Sequence, residues 1–599
     1  MDKEIKLPIE LKRFSEQDYV SSLDADKSGL PLIDEGQRLF FLDESNSALT
    51  PEDAATFKFA IDKVYGKSSK DGKTPIAFVV SSDDGIRDDG YKIKATSSSL
   101  TVSARCYDGL SNGLYAFLEY VGIMFTHTDH TYYPSRKNLF FPIGEKCYNP
   151  VFPWRNVYSK ETWHNDWAKR LRLNGVIDIG DRSLRPDGWT PYKENEDTPP
   201  RLWGTWCHSM FDLLPPSEFF SSHPEYYTMI GGKRKVKTTT FGTTLETAIC
   251  PSSEGAYQET KKRLLDLIEK NPSAKYWDVS IMDNWFIKGC ECPQCKKLTR
   301  EEGSPMAPYL KFLNRLADEV HALHPDVCLS TLAYLYTYKP PKKMKASDNL
   351  LIKLCSMPGS NRSPYSRPTT KGSRQFSAFM QKWTSCANNI VIWDYVVDFK
   401  HLMMPFPNYS VLAPNLKFFK ENGARGVFSQ ASREWGSENA EMRAYLLAHL
   451  MFDDKTDVET LLSRYIAVTY GDAADTVTDY FNALSTHLYE GKEELGMFMP
   501  PSAHSRSYLK PRYVEKHISD LENALRNAEE GSVAEKHLKR LLVGLYYVVV
   551  NNSGYNKAYK RDCARLLIEY AESTRVERFA ETKHYFKDYK VLLEKKFKL

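Results

Sequence analysis

The residues best suited to chemistry fall in one short stretch. Tyr276-Trp-Asp-Val-Ser-Ile-Met-Asp-Asn-Trp285 runs from apolar, β-forming residues into an acid, an amide and an indole, and Cys290-Glu-Cys-Pro-Gln-Cys295 follows at once. This is the pattern of a buried strand opening into a loop at Asp283, Asn284 and Trp285, the place where α/β enzymes keep their reacting groups. The same three residues also read as a solvated loop, and the rest of the chain has to decide. A carboxyl beside Trp and Tyr rings suits glycoside hydrolysis. There, one carboxylic acid protonates the leaving oxygen while a second group meets the oxocarbenium-like centre.

Such a loop needs a framework. Candidate strands recur at 154–158, 175–179, 202–207, 276–282, 328–333, 350–355, 389–393 and 425–428, with amphipathic helical stretches at 257–270, 309–323, 376–386 and 410–421 between them. Strands alternating with helices predict a parallel α/β sheet, most economically a central (β/α)8 TIM barrel over residues 151–440. A Pro- and Gly-containing insertion at 209–256 forms a long loop over its mouth. Residues 1–150 pair strands at 76–80, 90–95 and 100–104 with a helix from Asp108, an N-terminal α/β accessory domain. Beyond 440 every periodic segment is helical, which predicts an α-helical C-terminal domain over 441–599, and the Pro-, Ser- and Tyr-rich stretch 497–512 reaches toward the mouth.

Reading residues off the strand ends gives an acidic, aromatic mouth. It comprises Glu161 with Trp163 and His164, Asp181 with Arg182, Trp206 and His208, the trio Asp283, Asn284 and Trp285, Tyr334 and Tyr336, Asp394 and Tyr395, then Gln430, Arg433, Glu434 and Trp435. Each has a plainer reading. Asp283 caps its loop or pairs with Lys288, Asp394 pairs with an arginine, Glu434 is a solvated helix-start acid, and the rings and His208 are core. The cysteines admit free thiols, a local disulfide or zinc. A structural zinc takes four ligands, and a fourth cysteine (Cys250, Cys328 or Cys355) joins only if the fold brings it close.

Composition excludes other classes. The 599 residues carry 81 basic and 77 acidic side chains, a net charge of +4, so no global field favours nucleic acid. No long apolar run predicts a membrane span, and Met1-Asp-Lys-Glu-Ile-Lys opens no signal peptide. Neither a Gly-x-Ser-x-Gly elbow nor a glycine-rich phosphate loop is present.

Several uncommon strings then carry a resemblance. Gly204-Thr-Trp-Cys-His208, His223-Pro-Glu-Tyr-Tyr, Ser280-Ile-Met-Asp-Asn with Cys290-Glu-Cys-Pro-Gln-Cys295, Leu332-Ala-Tyr-Leu-Tyr-Thr-Tyr-Lys-Pro-Pro341 and Trp393-Asp-Tyr with Pro405-Phe-Pro-Asn408 occur in that order. Together they resemble the domain of unknown function 4838 family, which includes glycoside hydrolase family 163, over about residues 110–485. The resemblance implies an endo-β-N-acetylglucosaminidase that cuts the chitobiose core of N-glycans by a retaining mechanism. It also implies a glycan or glycoprotein partner, no cofactor or metal, and export, often in gut bacteria. Either the substrate's acetamido group or an enzyme carboxylate is the nucleophile. Asp283, Asp394 and Glu434 are the expected catalytic residues. Glu161, His208, Trp206, Asn284, Trp285, Tyr334, Tyr336, Tyr395 and Arg433 are the expected substrate contacts. The chain departs from the pattern at Ser429-Gln430, where relatives carry a Glu after Gly-Val-Phe, so an exo-acting glycosidase and a non-catalytic glycan-binding protein stand as alternatives.

Overall fold

A computed structural model of the chain describes residues 7–24, 28–66, 72–163, 165–175, 203–236, 247–357, 359–581 and 583–599. Its centre is a seven-stranded parallel sheet of β1 (Trp154–Tyr158), β2 (Trp203–Thr205), β3 (Tyr276–Asp278), β4 (Cys328–Ala333), β5 (Leu350–Cys355), β6 (Ile390–Tyr395) and β7 (Gly426–Gln430). The spatial order is β1-β7-β6-β5-β4-β3-β2, so the first strand lies beside the last and the others follow in chain order. The predicted second strand at 175–179 lies, but for Gly175, outside the described residues. What is described is therefore an arc of seven strands, not the closed eight-stranded barrel the alternation predicts.

Both faces of this sheet are covered, which is why its strands read as unbroken apolar runs. All six residues of β5 are buried, as are all of β4 beyond Cys328. The outer cover includes helices Glu254–Lys270, Met306–Leu323, Lys371–Cys386 and Tyr409–Glu421, each of which buries one apolar stripe. Ser253 and Thr370 cap the first and third of these by accepting backbone N–H bonds. Close approach sets β2 against β3: a Cβ on Gly204 would lie 2.5 Å from the Trp277 ring, so only glycine fits there.

The N-terminal strands pair as expected. Thr74–Val80, Tyr91–Ala95 and Leu100–Ala104 share a five-stranded sheet backed by helices Pro51–Tyr65 and Tyr107–Val121. Buried Arg155 of β1 ties this sheet to the central one through Asp89 at 2.5 Å. The C-terminal region holds the predicted helices but is not helical throughout. After helix Lys557–Ser573 it forms a hairpin, β8 (Arg578–Ala580) and β9 (Lys583–Tyr585), before the last helix, Phe586–Phe597. No helix among the described residues is long and apolar enough to cross a membrane.

Candidate active site

At the C-terminal ends of the parallel strands lies a cavity of about 270 Å³. Its floor is aromatic. Trp206 stacks on Trp393 with centroids 5.5 Å apart, Trp393 meets Phe428 at 4.4 Å, and Phe428 stacks on Tyr158 at 5.3 Å. Trp206 and Trp393 lie near-parallel, as do Phe428 and Tyr158, while Phe428 is tilted 56° from Trp393, so the floor offers apolar ring faces of the kind that receive a sugar's apolar face.

A buried polar network beneath this floor fixes its height. Lys353 of β5 reaches Asp278 at the end of β3, 2.9 Å away, and also donates to the Trp206 carbonyl. Both ionic side chains are sealed from solvent, and Asp278 further accepts the hydroxyls of Ser209 at 2.8 Å and Ser280 at 2.5 Å. The network turns the chain after β2 sharply enough to hold His208 at a φ of 53°, in the left-handed region. The His208 backbone N–H donates to Ser280 Oγ at 2.7 Å. Its ring Nδ1 donates to the Ile281 carbonyl at 2.7 Å, which assigns the proton to Nδ1. His208 and Trp206 both line the cavity.

Asp283 lines it as well, on the loop that continues β3, and its Oδ1 accepts the Tyr334 hydroxyl at 3.3 Å. Burial, joined by the Asp283 charge, pushes the Tyr334 phenol well above its usual range, so it stays a donor. Trp285, 55% exposed, stands edge-on to Tyr334 at the rim. The role of capping this loop falls to buried Asn284, whose Oδ1 accepts the Phe286 N–H at 3.0 Å.

The second carboxyl at the cavity wall is Glu581, which sequence reasoning missed. It sits in the turn of the β8–β9 hairpin, anchored because its own N–H donates to the Phe399 carbonyl at 2.8 Å and the Leu402 N–H donates to the Phe579 carbonyl at 3.1 Å. Its Oε1 accepts Gln430 Nε2 at 3.3 Å, and Gln430 Oε1 in turn accepts the Trp393 indole N–H at 2.7 Å. A carboxyl from far along the chain thus rests on the Gln430 amide at the end of β7. Burial pushes Glu581 up to about 7; Arg433 opposes this, and Glu434 and Asp283 reinforce it. A carboxyl so tuned holds its proton near neutral pH and can donate it.

The other expected residues divide. Tyr395 and Arg433 line the cavity, as do Met497 and Phe498 from the stretch expected to reach it. Glu434, expected as the acid, is not among the lining residues: Arg578 at 2.6 Å and Arg433 at 3.5 Å hold its carboxyl aside. Asp394 is buried under the wall, accepting the Ser356 hydroxyl at 2.7 Å, and burial raises it to about 6. Glu161 is sealed away, accepting from Ser159 and from the Gly436 N–H, and burial together with Glu441 pushes it up to about 7. Tyr336 turns toward the cysteine cluster instead. His164, Asp181 and Arg182 lie outside the described residues.

Two groups of side chains among the described residues have metal-ligating atoms within 4.8 Å of one another. One is Cys250, Cys290, Cys292 and Cys295, so the fold does bring Cys250 to the other three. The second is His127, Glu441 and His537, in which Arg540 already neutralises Glu441.

The chain resembles several solved structures at low identity. A GH138 enzyme targeting pectin rhamnogalacturonan II is 10% identical, with 93% of this chain and 98% of that one covered and a TM-score of 0.43. The Flavobacterium johnsoniae chitobiase is 13% identical over 95% and 97%, with a TM-score of 0.42. The Streptomyces plicatus N-acetyl-beta-hexosaminidase is 14% identical over 79% and 98%, with a TM-score of 0.39. No curated protein matches the sequence. Residues 125–482, more than half of the chain, match the family model described as a domain of unknown function, DUF4838. The protein is a member of the DUF4838 family.

Proposed function

We propose that this protein is a glycoside hydrolase in which Glu581 is the acid/base and Asp283 the group that meets the reacting sugar. The observation that carries the reading is the pairing of two carboxyls, one tuned to about 7, on the wall of a single cavity with a tryptophan floor. A sugar ring lies on Trp206 and Trp393, and Glu581 protonates the glycosidic oxygen as the bond breaks. Asp283, steadied by Tyr334, orients the substrate's acetamido group as nucleophile or attacks the anomeric carbon itself. Glu581, now ionised, then takes a proton from the incoming water. His208 and Arg433 orient the sugar's hydroxyls.

The motif resemblance favours β-linked N-acetylglucosamine as the sugar and endo action on the chitobiose core of N-glycans. A second reading is favoured by size: about 270 Å³ lies at the low end of ligand cavities and suits one ring, hence exo action on a terminal sugar. Incubation with a glycoprotein bearing complex N-glycans and, separately, with an aryl β-N-acetylglucosaminide separates them. Release of whole glycans supports endo action, and aryl cleavage alone supports exo action. No cleavage of either, with glycan binding retained, overturns the enzyme reading for this sugar.

A further inference from the structure

We propose that Cys250, Cys290, Cys292 and Cys295 hold a structural zinc ion that fastens the far end of the loop carrying Asp283. All four sulfurs lie within 4.8 Å of one another, with Cys250 Sγ 3.7 Å from Cys292 Sγ and 3.5 Å from Cys290 Sγ. Tetrahedral coordination at a Zn–S distance of about 2.3 Å separates the sulfurs by roughly 3.8 Å, the spacing seen, whereas a disulfide needs about 2.0 Å. Cys250, Cys292 and Cys295 are buried, and the four sulfurs form a cluster of their own with Met229 packed against it. Four thiols are weak partners for one another, and four thiolates repel. A divalent cation at their centre removes both costs.

The backbone is built around that centre. Cys292 is the N-cap of helix Pro293–Glu302, whose first turn presents Cys295. Cys250 arrives from the opposite side, after the bridge between Tyr227 and Ile249, with its N–H donated to the Tyr226 carbonyl at 2.7 Å. The outer contacts suit thiolate ligands: the Met229 N–H points at Cys290 Sγ at 3.4 Å, and Ser252 Oγ lies 3.0 Å from Cys295 Sγ. Four protein ligands leave no open position, so the site is structural and not catalytic. Its place gives it a purpose. The loop 279–289 is held at its start by Val279, which donates to Ser330 at 2.8 Å and accepts from Tyr309 at 3.2 Å. Cys290 closes its other end, so the metal brackets Asp283 and Trp285 between two fixed points.

The test is the metal content of the untagged protein, read by mass spectrometry and independent of any activity. About one zinc per chain is expected, lost in Cys250→Ser and in Cys292→Ser and kept in Cys147→Ser, whose thiol is exposed and distant. Cobalt exchange into the wild type should give the visible bands and thiolate charge transfer of a tetrahedral tetrathiolate site, and this does not depend on any variant folding. Wild-type protein that takes up no zinc under reducing conditions, that holds iron instead, or that shows a disulfide among these cysteines would overturn the proposal.

Discussion

Replacing Lys353 with Met tests whether the network under the cavity is as closed as its geometry implies. The Lys353 and Asp278 side chains are 1% and 0% exposed and 2.9 Å apart. Removing the ammonium leaves a carboxylate sealed in the sheet with, among the described residues, the hydroxyls of Ser209, Ser280 and Ser330 as side-chain partners. Orphaning one partner of a buried pair costs about 3–5 kcal/mol, and three hydroxyl donors place this case toward the lower end. At roughly 2–4 °C per kcal/mol for a large domain, the unfolding midpoint should fall by about 6–12 °C. Lys353→Met combined with Asp278→Asn removes both charges and should recover most of that loss, because the remaining amide still meets the serine hydroxyls. Differential scanning fluorimetry of the three variants measures both shifts. A single variant within about 2 °C of wild type, or a double variant no more stable than the single, refutes the argument.

Other consequences follow from individual residues. Glu161 ionises near 4.5 when exposed but is pushed up to about 7 by burial, so the stability its protonated form carries is full below 4.5 and is lost as the pH rises through 7. That loss is about 3 kcal/mol, and Glu161→Gln should flatten the dependence of thermal stability on pH between these values. Tyr334→Phe removes the hydroxyl that steadies Asp283 at 3.3 Å, and should lower kcat about tenfold with KM and unfolding midpoint little changed.

The parallel strands were legible because burial on both faces leaves an aliphatic signature, and the Asp283 loop because an acid, an amide and an indole end such a run. Tyr334 faces the cavity and Tyr336 does not because Leu335 takes a φ of 50°, a backbone turn that side-chain pattern alone does not encode. Glu581 was illegible for a different reason. It enters the site from a three-residue strand amid helices, and nothing local in the sequence says that Phe399 and Gln430 receive it. The nearest acid along the chain, Glu434, took its expected place, yet Arg578 from that same hairpin captures Glu434 and holds it aside. Cys250 was one of three candidates to join the cysteine cluster, and the choice among them was not legible, since 40 residues separate it from Cys290 and the fold delivers it beside the bridge between Tyr227 and Ile249.

The most direct test of the account is the pH dependence of kcat/KM for wild type and Glu581→Gln, on one substrate with a poor leaving group and one with an activated aryl leaving group. The account predicts a wild-type alkaline limb near pH 7, where Glu581 loses its proton. It predicts that limb absent in the variant, and a rate loss of about 10²–10⁴ with the poor leaving group that is much smaller with the aryl one. A folded Glu581→Gln variant that keeps the wild-type rate and its alkaline limb on both substrates would contradict it.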